Sequence, residues 1–131
     1  MKTIDFNYFL VQWNPEVIGY EKKTTFWSDF SIAEVFGKDN VDKGLSAVED
    51  TYNRSFDEWK SNVEYVTELA LVLNHKIWYW YGVWEKVEDP YLKNYADKLA
   101  RLYDKMWREC DGWCCDNLRG KDAEYYYKTT D

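Results

Sequence analysis

The chain has 131 residues, 20% of them aromatic, and its 24 acidic against 17 basic side chains give a net charge of −7. That length fits one domain over residues 1–131 with a single continuous core, and the charge works against direct nucleic-acid binding, because phosphate backbones are repelled. The uncharged stretches Leu69–Asn74 and Ile77–Trp84 are too short to span a bilayer and no signal peptide is visible, so a cytoplasmic protein without a membrane partner is expected.

Residues 3–13 satisfy two periods at once. Ile4, Phe6, Tyr8 and Leu10 alternate as in a half-buried strand, whereas Phe6, Phe9, Leu10 and Trp13 fit a helix. Pro15 and Gly19 mark a turn or loop through about residue 24. A helix is predicted over 26–36, with Phe26, Phe30, Ala33 and Phe36 inward and Gly37 as its stop. From Val41 the apolar residues Leu45, Val48, Tyr52, Phe56, Trp59 and Val63 follow at the steps of three and four that define one helix face. Ser61-Asn62-Val63-Glu64 has the form of a capping box, which places a break near 60.

The next predicted helix, 62–87, is apolar nearly all round. Asp89-Pro90 then has the form of an N-cap followed by proline at the first helical position. A long helix over 90–118 carries Tyr91, Tyr95, Leu99, Leu102, Met106 and Trp113 on one face, with Gly120 ending it. The tail from Asp122 to Asp131 is expected as a short helical turn docked on the bundle.

Several features carry possible chemistry. On the 62–87 helix the polar residues Glu64, Thr67, Glu68, Asn74 and His75 fall in one narrow stripe. Two carboxylates one turn apart with an imidazole beyond them suit Mg²⁺ or acid–base work, but a thin solvated face is the simpler account. Such carboxylates on facing helices are similar to those of all-α nucleotide pyrophosphohydrolases. The Glu-x-x-Asp pair of that pattern is missing, since the last helix offers only Asp97 and Asp104, seven apart.

Cys110 and Cys114 share a helix face, yet Cys115 points about 100° away and His75 is the single histidine. Four tetrahedral ligands are not on offer, so no metal or cofactor is expected. The crowded, odd-numbered cysteines also do not form the disulfide framework of a secreted domain. Lys98, Arg101, Lys105 and Arg108 form a basic stripe, but Asp97 and Asp104 precede two of them by four residues, the spacing of helix-surface ion pairs. Residues 29–68 hold ten acids against four bases, among them Asp50, Asp57 and Glu58. The run Trp78-Tyr79-Trp80-Tyr81 covers every side of a helix. Either that helix is central, or Trp78 or Tyr79 belongs to an exposed partner surface.

The segment from Thr67 to Trp78, together with Leu102–Trp107, Asn117–Gly120 and Tyr127–Asp131, resembles a family of short uncharacterised proteins from gut Bacteroidales and their phages. The resemblance implies a small acidic phage-type protein, of a kind that often acts by binding a host or defence protein; it carries over no activity.

The expected fold is an all-α bundle of about four main helices, with the hydrophobic 62–87 helix at its centre and an N-terminal segment packed on it. The leading functional expectation is a non-catalytic module that binds a protein partner through Asp50, Asp57, Glu58, Trp78 and Tyr79. One alternative is a Mg²⁺-dependent hydrolase using Glu64, Glu68, Asp97 and Asp104. The other is a structural homo-oligomer, such as a homodimer in which the basic stripe meets the acidic segment of a second copy.

Overall fold

The computed structural model describes residues 23–60 and 62–130; the strand-or-helix segment at 3–13, the turn at Pro15 and Gly19, and Ser61 lie outside the described residues. Within them the chain forms α1 (Phe26–Val35), a 3-10 turn (Phe36–Lys38), α2 (Val41–Trp59), α3 (Val63–Lys86), α4 (Pro90–Asn117) and α5 (Gly120–Thr130). The fold is all-α, and α5 makes the tail a helix of 11 residues in place of the short turn expected there.

Side-chain caps set where the helices begin. Asn40 Oδ1 accepts from the Lys43 amide, and Asp89 Oδ1 accepts from the amides of Tyr91 and Leu92, with Pro90 at the first position as expected. At α3 the cap is Asn62, not Ser61: Asn62 Oδ1 accepts from the amides of Glu64 and Tyr65. The one-residue shift places Glu64 too early to reach back to its cap, so the reciprocal half of the expected capping box does not form. Glu64 pairs instead with Lys23 at 3.0 Å. α4 ends at Asn117, before Gly120, whose φ of 60° lets the chain turn into α5.

α3 is the hub. It packs on α1, α2, α4 and α5, and its largest interface is with α4. Leu69, Val72, Leu73 and Trp80 of α3 meet Tyr95, Leu99, Tyr103 and Met106 of α4 in the core. The expected face of α2 is buried at Val48 and Tyr52 and half-buried at Leu45, Phe56 and Trp59. On α1, Phe26, Phe30 and Ala33 are buried as expected, but Phe36 is 50% exposed. Trp27, Ser31 and Glu34 complete the inner face in its place. At Phe36 the chain tightens into the 3-10 turn, which rotates that ring off the helix stripe.

One close approach depends on missing side chains. Tyr95 lies across Gly37 and Gly44, with its hydroxyl donating to the Glu34 carbonyl at 2.6 Å, while the Tyr91 hydroxyl donates to the Gly37 carbonyl at 2.9 Å. A Cβ on Gly44 would stand 2.5 Å from Gly37 Cα and inside the Tyr95 hydroxyl. Gly44→Ala should therefore destabilise the protein by about 1–3 kcal/mol through overpacking. Gly112→Ala on α4, where an added methyl meets nothing within 4 Å, should gain about 0.5–1 kcal/mol. Urea denaturation of the two variants checks both signs.

Candidate functional site

The chemistry of the interior centres on Glu34 and Lys76. α1 brings Ser31 and Glu34, α3 brings Lys76 and Trp80 one turn apart, and α4 brings Tyr103. Glu34 is 0% and Lys76 1% exposed. Lys76 Nζ lies 2.9 Å from Glu34 Oε1 and donates to Ser31 Oγ at 3.0 Å. Glu34 Oε2 accepts from Trp80 Nε1 and from the Tyr103 hydroxyl, both at 2.6 Å. The ammonium also sits 3.9 Å from the centroid of the Trp27 ring, at cation–π range. Burial lowers the Lys76 pKa from its ordinary 10.5, and the Glu34 carboxylate pulls against that shift. Such a pair holds its partners well but touches no solvent, so in this conformation it exchanges no proton with a substrate.

Neither residue is among the candidates expected from sequence, although the chain carries a signal for both. Lys76 falls in the series Leu69, Leu73, Lys76, Trp80, and Glu34 in the series Trp27, Phe30, Glu34, each with steps of three and four. Opposite charges at core positions of two helices are the pattern of a buried ion pair.

The carboxylates considered for a Mg²⁺ site are occupied separately. Glu68 is buried and accepts from the backbone amides of Lys23 and Thr24 at 3.2–3.3 Å. Glu64 pairs with Lys23, Asp97 with Arg101 at 3.1 Å, and Asp104 with Arg108 at 3.0 Å. Among the described residues no group of three or more His, Cys, Asp or Glu is placed to hold a metal ion. The expected solvated stripe on α3 is corrected at Thr67 and Glu68, which are buried: Glu68 lies under the amides of Lys23 and Thr24, and the Thr67 hydroxyl donates back to the Val63 carbonyl at 2.6 Å. His75 is half-buried, and burial lowers its pKa below 6.5. Cys110 and Cys114 are buried and Cys115 exposed, all three as free thiols. A hydrogen bond with Cys114, reinforced by burial, pushes the Cys110 thiol well above its usual range, which leaves it unreactive. Tyr126 of α5 is buried, with its hydroxyl on Asp111, and so anchors the last helix.

The ion pair also determines what faces outward. Ile32 lies about 160° around α1 from Glu34, and Trp78 about 160° around α3 from Lys76. Burying the charges turns those apolar groups to solvent: Ile32 is 62% and Trp78 64% exposed. Tyr81 packs beside Trp78 at 6.1 Å between ring centroids and is 44% exposed. Tyr79 turns the other way, half-buried and edge-on to Trp27 and Trp80. Asp50, Asp57 and Glu58 stand exposed on α2. A groove of about 350 Å³ runs between α1 and α2, lined by Ile32 and Phe36 with Asp29, Asp50 and Arg54 at its edges. No helix among the described residues is long and apolar enough to cross a membrane.

Comparison of the chain with protein-family models, with curated proteins and with solved structures finds no match.

Two predictions test the interior. Glu34→Gln strands the buried ammonium and Lys76→Met the buried carboxylate, so each should cost about 3–5 kcal/mol, a large share of a typical domain's stability. The double variant keeps an acceptor for Trp80 and Tyr103 and should lose much less than the sum; additive losses in urea denaturation would contradict the coupling. Second, Tyr52, Tyr95, Tyr103 and Tyr126 are all pushed above the ordinary 10.0, chiefly by burial. The folded chain keeps these protons while the unfolded chain releases them near pH 10.0, so their stabilisation is complete below that pH and lost as pH rises beyond it. Each contributes a slope of up to about 1.4 kcal/mol per pH unit. Lys76, shifted downward from 10.5, works in the opposite direction but is one group against four. Denaturation across the alkaline range should therefore show stability falling above pH 10.

Proposed function

We propose that this protein is a non-catalytic binding module for another protein, which it engages through an acidic, aromatic-rich surface. The observation that carries this reading is the pair Ile32 and Phe36, 62% and 50% exposed, side by side over the groove between α1 and α2. Large apolar groups left in water next to a concave surface are the usual anchors of a protein interface. Covering both would contribute on the order of 1–2 kcal/mol each from apolar burial.

Charge selects the kind of partner. Of the ten acids in 29–68, Glu34 and Glu68 are spent inside the fold and Glu64 is paired with Lys23. Asp42, Glu49, Asp50, Asp57 and Glu58 remain exposed on α2. A partner with a basic surface and an apolar projection fits that combination, with the charges acting mainly on encounter rate and orientation. The resemblance to short phage-type proteins accords with a host or defence protein as that partner. Trp78 and Tyr81 supply a second apolar patch.

A tagged pull-down from a Bacteroidales lysate, quantified by mass spectrometry, tests the proposal with three baits. The parent chain should capture one stoichiometric partner. Ile32→Asp with Phe36→Asp should lose it, since both side chains are surface groups whose replacement leaves the core intact. Asp57→Lys with Glu58→Lys should weaken capture by less, through lost long-range attraction. No stoichiometric partner, or one retained equally by the Ile32/Phe36 variant, rejects the reading.

A further inference from the structure

A second groove, of about 560 Å³, lies between α2 and α4. Its walls differ in sign. Asp42, Glu49 and Asp50 line the α2 side, Lys98 and Arg101 the α4 side, and the half-buried Leu45 and Leu102 line the strip as well. Asp42 and Glu49 are seven residues apart and so lie on one line of α2. No ion pair bridges the two walls among the described residues; Arg101 turns back along its own helix to Asp97. Acid and base therefore face a common opening without neutralising each other.

We propose that this groove is a self-association surface on which a second copy of the chain docks across a two-fold axis. In a two-fold contact the same patch meets itself, so a patch of one sign repels its own copy. A patch with acid along one edge and base along the other is self-complementary when the axis runs along the groove. That operation sets the α2 acids of each copy on the α4 bases of the other, twice over, and closes the leucines between them. The net charge of −7 opposes approach at long range, but it is screened beyond about 8 Å at physiological salt. At contact the local pattern dominates, with the leucines providing the apolar area and the charges fixing register. This surface is separate from the groove between α1 and α2, sharing only Asp50 on its rim, and does not depend on the partner-binding reading.

Sedimentation equilibrium across a concentration series, with circular dichroism as the control for folding, tests it. The parent chain should form dimers. Asp42→Lys with Glu49→Lys makes both walls basic, and Lys98→Glu with Arg101→Glu makes both acidic; each should weaken dimerisation about tenfold or more. Mixed one to one, the two variants should reassociate as a heterodimer, because every acid again meets a base. Should Asp42→Lys disturb the first turn of α2, Glu49→Lys alone carries the same sign. A parent chain that stays monomeric leaves the groove to a partner of different sequence and overturns the proposal. So does a dimer indifferent to both reversals, or a mixture of folded variants that stays monomeric. The Ile32/Phe36 variant should dimerise like the parent, which separates a failure here from a failure of partner binding.

Discussion

The rest of the structure depends on one constraint: a carboxylate and an ammonium must be buried together. Glu34 sits on the first described helix and Lys76 on the central one, and each has essentially no contact with water. Removing either charge from the pair, or rotating one helix so that only one remains inside, leaves an uncompensated ion in a medium that solvates it poorly. The pair therefore acts on helix rotation. The apolar residues of α1 point to more than one side, with Phe26, Phe30 and Ala33 inward and Ile32 and Val35 outward, so burial of hydrophobic area alone leaves more than one face open to the core. The need to place Glu34 against Lys76, Trp80 and Tyr103 selects one.

That selection reaches the surface. With Glu34 inward, Ile32 falls on the far side of α1; with Lys76 inward, Trp78 falls on the far side of α3, while Tyr79 and Trp80 turn to the interior. Ile32 and Trp78 are thus exposed because of a polar contact in the core, whereas Phe36 is turned out by the 3-10 turn. The same geometry accounts for four consecutive aromatics on one helix without requiring that helix to be enclosed on all sides. Around this centre, Tyr95 crosses Gly37 and Gly44 to reach the Glu34 carbonyl, which links α1, the 3-10 turn, α2 and α4 through one side chain.

The distribution of charge follows a similar division between inside and outside. Counted along the chain, the 29–68 segment is a single acidic block. In three dimensions it separates into carboxylates consumed by the fold, such as Glu34 under α3 and Glu68 beneath the amides of Lys23 and Thr24, and carboxylates left on α2. The second group, with Asp39 exposed ahead of α2 and Asp29 half-buried at the edge of the groove between α1 and α2, is what a partner or a second copy meets. The basic stripe on α4 divides too, because Arg101 and Arg108 are drawn back to Asp97 and Asp104 along the same helix.

Local chemistry determined much of this in sequence. The Asp89-Pro90 start of α4, the break near residue 60, the extent and central place of α3 and the all-α class follow from caps and from 3.6-residue periodicity, which act within a few turns of chain. Of the candidate surface residues, Asp50, Asp57, Glu58 and Trp78 stand exposed, and Tyr79 turns inward. Only the tertiary structure decided that Glu34 joins the buried face of α1 while Phe36 leaves it, that Thr67 and Glu68 are buried, and that Ile32 and Phe36 border a groove. The reason is physical. Periodicity places Glu34 and Lys76 on the inner stripes of their own helices, but it carries no information about contacts between residues 42 positions apart, so nothing local says that the two charges meet.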